Sequence, residues 1–163
     1  MAVRRSLWCS VPRVATKRQG EAMNISNETR VISGILLITV PTIASGGAFL
    51  LRLLRQGDAT YVGNPLRQNM FRAGHAHAGV LVLLSLVCQL LADVAELPPA
   101  LVQFARLGVP CAAVLMPLGF FLSVASPKAV QPNRLITLIY IGAALLATSV
   151  LVLGIGLIRS ALT

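Results

Sequence analysis

Residues 135–158 decide the fold, and they read LITLIYIGAALLATSVLVLGIGLI. No charged side chain interrupts this stretch. As a helix rising about 1.5 Å per residue, it extends about 36 Å, which exceeds the roughly 30 Å of hydrocarbon in a bilayer. Three further uncharged stretches of comparable length lie at 31–51, 73–92 and 107–127. Each is long enough to cross a membrane as a helix.

The composition agrees with a chain embedded in lipid. Of the 163 residues, 56% are hydrophobic and 12% are charged, and the mean hydropathy is +0.79. Because a soluble domain carries about 25% charged residues, these values exclude a cytosolic globular enzyme, a disordered tail and a disulfide-stapled secreted module. The apolar runs are continuous, unlike the alternating segments of a membrane β-barrel. The sequence therefore predicts an all-α protein, a bundle of four transmembrane helices.

Proline, glycine and asparagine separate the four apolar stretches and indicate loops. The predicted spans cover about 31–54, 73–92, 101–126 and 134–158, all within one domain, 23–163, with both termini on one side of the membrane. Small residues in the fourth span, Gly142, Ala143 and Ala147, permit close helix contact and favour an oligomer.

Residues 1–22 form a separate basic leader. Its basic residues precede a single acid, Glu21, and they are Arg4, Arg5, Arg13, Lys17 and Arg18. The segment lacks the apolar core of a secretory signal. Two interpretations remain open, a segment of transit-peptide composition and a mistaken extension upstream of a true start at Met23.

The remaining charges predict the orientation. Six basic residues lie in or beside the first and third loops: Arg52, Arg55, Arg67, Arg72, Lys128 and Arg134. The opposite side carries Arg30, Arg106 and Arg159. Since cytoplasmic loops are enriched in Lys and Arg, a chain starting at Met23 has its first and third loops in the cytoplasm, whereas an intact leader nearly removes the asymmetry. The charges lie in the leader and loops, so membrane lipid rather than nucleic acid is the expected partner, in a multi-pass protein of the bacterial inner membrane.

The spans themselves contain few polar groups. No acidic or basic residue lies at the centre of a predicted span, which disfavours a proton pump or an ion-coupled transporter. We expect the small hydroxyl side chains to hydrogen-bond within their own helices: Thr39, Thr42, Ser45, Ser85, Thr148 and Ser149. Prolines inside the spans, such as Pro41 ahead of Gly46 and Gly47, are compatible both with bent helices around a cavity and with the ordinary tolerance of proline in membrane helices.

Both histidines of the chain lie in the segment RAGHAHAG, residues 72–79, at the mouth of the second span. On a helix, His75 and His77 point about 200° apart, so they cannot chelate one ion from the same face. Haem needs only one axial imidazole, because it brings four nitrogens of its own. Glycine and alanine around the histidines, including Gly79, leave room for a flat macrocycle, and Arg72 is a candidate partner for a propionate or a lipid phosphate. The competing interpretation is a pair of interfacial histidines near the headgroups.

The same segment, read with its neighbours, resembles styrene oxide isomerase and its relatives, which are small four-helix membrane enzymes. An Arg-Ala-His-x-Gly element opens their second span. The residues that carry the resemblance are Arg72-Ala73, Ala76-His77-Ala78-Gly79, Gly34-Ile35-Leu36, Gly46-Gly47, Gly119-Phe120-Phe121-Leu122 and Pro132-Asn133-Arg134. The His-x-Gly spacing favours His77, which is the expected ligand of the haem iron, and the Arg-Ala-His spacing favours His75, which is the alternative ligand.

The resemblance implies a trimer with haem b between protomers and the motif histidine as axial ligand to the haem iron. It further implies an isomerase that converts a small apolar epoxide to an aldehyde without net redox change. Two positions depart from the family pattern, since Leu83 stands where the family has an asparagine and Phe121 where it has a phenol. Both changes remove polar groups that would position an epoxide.

Three functions remain open at this point. The first is a haem-binding membrane protein with isomerase or related haem-dependent activity. The second is a non-enzymatic accessory or assembly subunit with interfacial histidines. The third is a small membrane protein that handles a lipid or another solute.

Overall fold

A computed structural model describes residues 25–162, so the basic leader lies outside the described residues. Four long helices account for most of this range: α1 (Asn27–Arg55), α3 (Pro65–Ala92), α4 (Pro99–Leu122) and α5 (Thr137–Leu162). A short helix, α2 (Ala59–Val62), lies between α1 and α3, and a 3₁₀ turn (Arg134–Ile136) leads into α5. No strand occurs between residues 25 and 162.

Local capping explains where the helices start. The Ser26 hydroxyl accepts a hydrogen bond from the Thr29 amide at the start of α1, and the Asn64 side chain accepts one from the Arg67 amide at the start of α3. These bonds satisfy amides that lack a partner within the helix. After α1, the chain turns at Gly57, whose φ of 63° is a conformation that glycine adopts without steric cost.

The long helices alternate in direction. The end of α1 meets the start of α3 where Gly47 faces His75. Along α4 and α5, Gly119 packs on Ile139 and Gly108 packs on Ser149, which is an antiparallel pairing. The first and last long helices therefore begin and end, respectively, at the same membrane face.

The predicted all-α bundle of four transmembrane helices is confirmed. Each long helix is long and apolar enough to cross a bilayer, so the chain is an integral, multi-pass membrane protein. The bounds differ from the predicted spans mainly at α3, which begins at Pro65 rather than near 73, and at α4, which ends at Leu122 rather than near 126. The polar first turns of α3 are stabilised by the Asn64 cap and by Pro65 at the first helical position.

Helix α4 is central and α1 is peripheral. In the most apolar 18-residue stretch of α4, 50% of the residues are buried inside the protein, compared with 11% in the corresponding stretch of α1. Glycines let α5 approach α4 closely: a Cβ atom on Gly142 would lie 2.6 Å from Met116 Cγ, and one on Gly119 would lie 2.9 Å from the Ile139 backbone nitrogen. Because α1 packs chiefly on α3, most of its surface faces lipid or a partner.

Most hydroxyl groups in the spans bond within their own helices, as predicted. The donors are Thr39, Thr42, Ser45, Ser85 and Thr148, each to a carbonyl three or four residues earlier. Ser149 is the exception, because its buried hydroxyl has no hydrogen-bond partner among residues 25–162 and instead packs against Gly108 of α4.

Candidate functional site

The two histidines lie on different faces of α3, as the angle between neighbouring helical positions requires. His75 faces α1 at Gly46 and Gly47. His77 faces α4, where its ring centroid is 4.8 Å from that of Phe120. Both rings are half-buried. They lie ten and twelve residues inside α3 rather than at its first turn, although the uncharged part of the helix begins only after Arg72.

The His75 ring fills a gap that the two glycines leave in α1. A Cβ atom on Gly47 would lie 2.9 Å from His75 Nε2 and 3.0 Å from Cε1, whereas one on Gly46 would lie 3.8 Å from Nδ1. The distance at Gly47 is too short for a real side chain. Glycine at position 47 therefore allows the outer edge of the ring to lie against the backbone of α1.

His75 also lines an apolar groove between α1 and α3. The groove has a volume of about 450 Å³, and its other walls include Ala44 of α1 together with Ala76, Gly79 and Leu83 of α3. The exposed side chains at its rim, such as Leu83 at 64% exposure, place its opening on the lipid-facing surface. Among the residues that the structure describes, the imidazole is the one polar side chain in the lining.

The hydrogen bonding of the two histidines differs. His77 Nδ1 lies 2.8 Å from the carbonyl oxygen of Ala73, one turn earlier in α3. Since a carbonyl oxygen only accepts, Nδ1 carries the proton and Nε2 of the neutral ring holds the lone pair. His75 has no hydrogen bond to any residue in the range 25–162. The ring nitrogens of His75, unlike Nδ1 of His77, therefore have no hydrogen-bond partner within this range.

The other predicted site residues do not all lie at the groove. Gly79 lines the groove, and a Cβ atom there would meet nothing within 4 Å. Arg72 is exposed and lies one turn, about 4.5 Å of helical rise, ahead of His75. The sequence predicts that Gly74 leaves room for a macrocycle. In the structure, this glycine instead allows α4 to pack closely on α3, because a Cβ atom there would lie 2.9 Å from Phe120 Cβ.

The two positions that depart from the isomerase pattern separate in space. Leu83 lines the His75 groove. Phe121 does not, because its ring packs edge-on against Phe71 with centroids 5.2 Å apart. If His75 is the ligand, only the change at Leu83 affects the groove itself.

The groove has the size and the apolar lining of a small-molecule site and contains one imidazole. Its volume lies within the range of about 300–1,000 Å³ typical of small-molecule sites, its walls are apolar, and alanine and glycine border the histidine. Among residues 25–162, no group of three or more His, Cys, Asp or Glu side chains could hold a bare metal ion. A metal that brings its own macrocycle is compatible with such a site, because the protein then supplies one axial ligand. To present Nε2 to the groove, His75 would have to change rotamer, since its outer edge now lies against Gly47.

The comparisons with known proteins add no further assignment. No family model, curated protein or solved structure matches this chain.

A polar cluster at the opposite membrane face was not anticipated from the sequence. Arg106 lies inside α4, buried, and forms an ion pair with Asp93 at 2.5 Å. Its other guanidinium nitrogen donates to the Thr29 hydroxyl of α1. The Gln89 side chain donates to the Arg106 carbonyl at 2.7 Å. The sequence groups Arg106 with the loop charges of that face, although its position within the predicted span 101–126 indicates that it needs a buried partner.

Proposed function

We propose that this membrane protein binds haem b in the groove between α1 and α3, with His75 as axial ligand. The observation that carries this proposal is an imidazole without a hydrogen-bond partner among residues 25–162, set in an otherwise apolar groove of about 450 Å³. In an apolar setting, an unpartnered polar group is costly unless a ligand satisfies it. His77 is the second candidate ligand, because its lone pair on Nε2 is set by the bond from Nδ1 to Ala73.

Each groove residue has a defined part in this proposal. Ala44 of α1 and Gly79 of α3 border the groove without a bulky side chain. Arg72, one turn closer to the basic membrane face, is placed to pair with a propionate. Ala76 keeps the space beside the His75 ring free of bulky side chains.

The lateral opening of the groove supports an oligomer. The rim is formed by apolar side chains exposed on the outside of the bundle, including Val80 at 64% exposure. A second copy of the chain packed on this face would enclose a ligand from the lipid side. We therefore propose a homo-oligomer, a trimer on the family resemblance, with the cofactor between protomers.

The activity we propose is the isomerisation of a small apolar epoxide to an aldehyde. Bound ferric haem would supply a Lewis acid for the epoxide oxygen. The chain itself excludes water through its apolar walls and admits apolar substrates from the bilayer. Since Leu83 replaces the polar group expected beside the substrate, we expect this activity to be weak and haem binding to be the more robust property.

An absorption spectrum tests the proposal. The full chain purified in mild detergent and supplied with haemin should show a Soret band that saturates with one haem per site. His75→Ala should abolish the band, and His77→Ala, the matched control on the same helix, should retain it. The reverse pattern would transfer the ligand role to His77. A protein with no Soret band in wild-type form would overturn haem binding.

The groove also supports a second candidate function, the handling of a lipid or another apolar solute. Its opening toward lipid and its apolar lining favour a molecule that enters from the bilayer. Here His75 would donate or accept a single hydrogen bond at the polar end of that molecule. Wild-type protein that lacks a Soret band but retains a co-purified apolar compound, lost in His75→Ala, would support this function instead.

A further inference from the structure

The two membrane faces of the protein differ strongly in charge. The face at the end of α1 and the start of α3 carries six basic residues and one acid within the described range, whereas the opposite face carries three of each. The acid at the basic face, Asp58, accepts hydrogen bonds from the amide and hydroxyl of Thr60. The basic face therefore presents guanidinium groups with little local compensation.

Two of these guanidinium groups border a pocket. Arg52 and Arg55, in the last turn of α1, line an open surface depression of about 430 Å³ together with Ala48, Leu51 and Gln56. Neither guanidinium group forms a hydrogen bond or ion pair with any residue between 25 and 162. The pocket thus combines two unpaired positive charges with an apolar wall that continues toward the membrane interior.

We propose that this pocket binds the headgroup of an anionic phospholipid, with an acyl chain lying along the exposed face of α1. The two positive charges outweigh the partial negative charge of roughly half a unit at the C-terminal end of a helix. Arginine forms paired hydrogen bonds with phosphate oxygens. Leu51 and Ala48 are exposed beside the two arginines. This apolar surface can contact an acyl chain, but it adds nothing to the binding of inorganic phosphate.

The geometry of α1 gives the acyl chain a continuous path. Ala44, Ala48, Arg52 and Arg55 lie on neighbouring positions of successive turns, so they share one side of the helix. Arg55 and Ala44 are separated by about 16 Å of helical rise, which matches the first part of a lipid tail. The headgroup pocket shares no lining residue with the His75 groove, and an acyl chain that follows α1 reaches the edge of that groove only at Ala44.

The test uses the full chain in mild detergent. Thermal unfolding is followed while mixed micelles of phosphatidylglycerol, mixed micelles of phosphatidylcholine, or inorganic phosphate are added. We expect saturable stabilisation by phosphatidylglycerol alone. Arg52→Gln with Arg55→Gln should weaken this binding about thirtyfold, since each arginine near an anionic headgroup contributes roughly a fivefold change. The control, Lys128→Gln with Arg134→Gln, removes the same charge from the same face and should retain the binding.

Two results would overturn the proposal. Equal loss of binding in both double variants would show a diffuse charge effect without a defined site. Equal stabilisation by inorganic phosphate and by phosphatidylglycerol would show an anion site that does not recognise a lipid. A double variant that is unstable before any addition is replaced by Arg52→Lys with Arg55→Lys, which keeps the charge but loses paired hydrogen bonding and should bind more weakly than wild type.

Discussion

Arg106 Nη2 lies 2.5 Å from Asp93 Oδ1, and the two side chains are only 5% and 6% exposed. The pair joins α4 to the residue that ends α3. Because Arg106 also binds Thr29, the same guanidinium group fastens the start of α1. A helix that otherwise packs chiefly on α3 is thereby connected to the centre of the bundle.

Removal of one partner from this ion pair should destabilise the protein strongly. Asp93→Asn leaves the Arg106 charge buried without a counter-ion, which typically costs about 3–5 kcal/mol. We expect a clear fall in the unfolding temperature in detergent, followed by circular dichroism. Replacement of both residues, Asp93→Leu with Arg106→Met, should recover much of the loss, because no charge then remains to be compensated. A double variant as unstable as the single one would contradict this account.

The same ion pair predicts a pH dependence. Burial raises the pKa of the Asp93 carboxyl, but hydrogen bonds from Arg106 and Ser26 outweigh this effect and lower the pKa from 3.8 to about 2. A carboxyl whose pKa is lowered on folding stabilises the folded state above its unfolded pKa. This contribution is lost as the pH falls from about 4 towards 2. Unfolding temperatures measured across that window should fall in wild type, and the fall should be smaller in Asp93→Asn.

Glycine at the contact of α4 and α5 should be intolerant of substitution. In Gly119→Ala, the new Cβ would lie 2.9 Å from the backbone nitrogen of Ile139, which cannot move independently of α5. Overpacking of this kind costs about 1–3 kcal/mol. Gly154→Ala is the matched control on α5, where nothing lies within 4 Å of the new atom. Unfolding in detergent should show a loss in the first variant, and no loss or a gain of up to about 1 kcal/mol in the second.

Asn64 should hold together the two loops at the basic face. Its amide nitrogen donates to the carbonyl oxygens of Pro127 and Ala129, at 3.2 and 2.9 Å, while its oxygen caps α3. Asn64→Asp keeps the cap but loses both donated bonds, so we expect faster hydrogen exchange across residues 125–133 and a stability loss of about 1–2 kcal/mol. Asn69→Asp, an exposed change on the same helix, should leave that exchange unaltered.

The sequence predicts the elements of this fold well but not its polar contacts. Uncharged length marks each span, because lipid imposes the same requirement on every spanning helix. Hydropathy does not predict the start of α3, because this helix begins in a polar segment, with Asn64 as its cap and Pro65 as its first residue. Hydropathy does not predict the Arg106 ion pair either, because Arg106 lies in α4 while its partners lie in α1 and at the end of α3, and only the fold brings them together.

The candidate site, like the fold, is predicted from the sequence only in part. Periodicity alone predicts that His75 and His77 face different neighbours. It does not show which ring meets glycine and which meets Phe120, since that depends on how α1 and α4 pack around α3. The preference for His75 as ligand therefore comes from its groove and its lack of a hydrogen bond, neither of which sequence spacing reveals.

Gly47 should control how readily His75 binds haem. The ring now lies in the gap above this glycine, with its outer edge too close for a side chain at position 47. In Gly47→Ala, the methyl group displaces the ring from α1 and towards the groove. Because a binding-competent rotamer that is only partly populated weakens the apparent affinity by its fraction, we expect Gly47→Ala to bind haem more tightly, about threefold or more, in a Soret titration.

Gly46→Ala separates this effect from a general change in α1. Its new Cβ would lie 3.8 Å from His75 Nδ1, an ordinary contact that leaves the ring in place. Both variants add one methyl group to adjacent positions of the same helix, so they share any effect on helix propensity or on insertion into the membrane. A selective gain in Gly47→Ala therefore assigns the change to the His75 rotamer. Weaker binding in Gly47→Ala would show that the ring ligates from its present position against α1, and an equal response of both variants would exclude control by this contact.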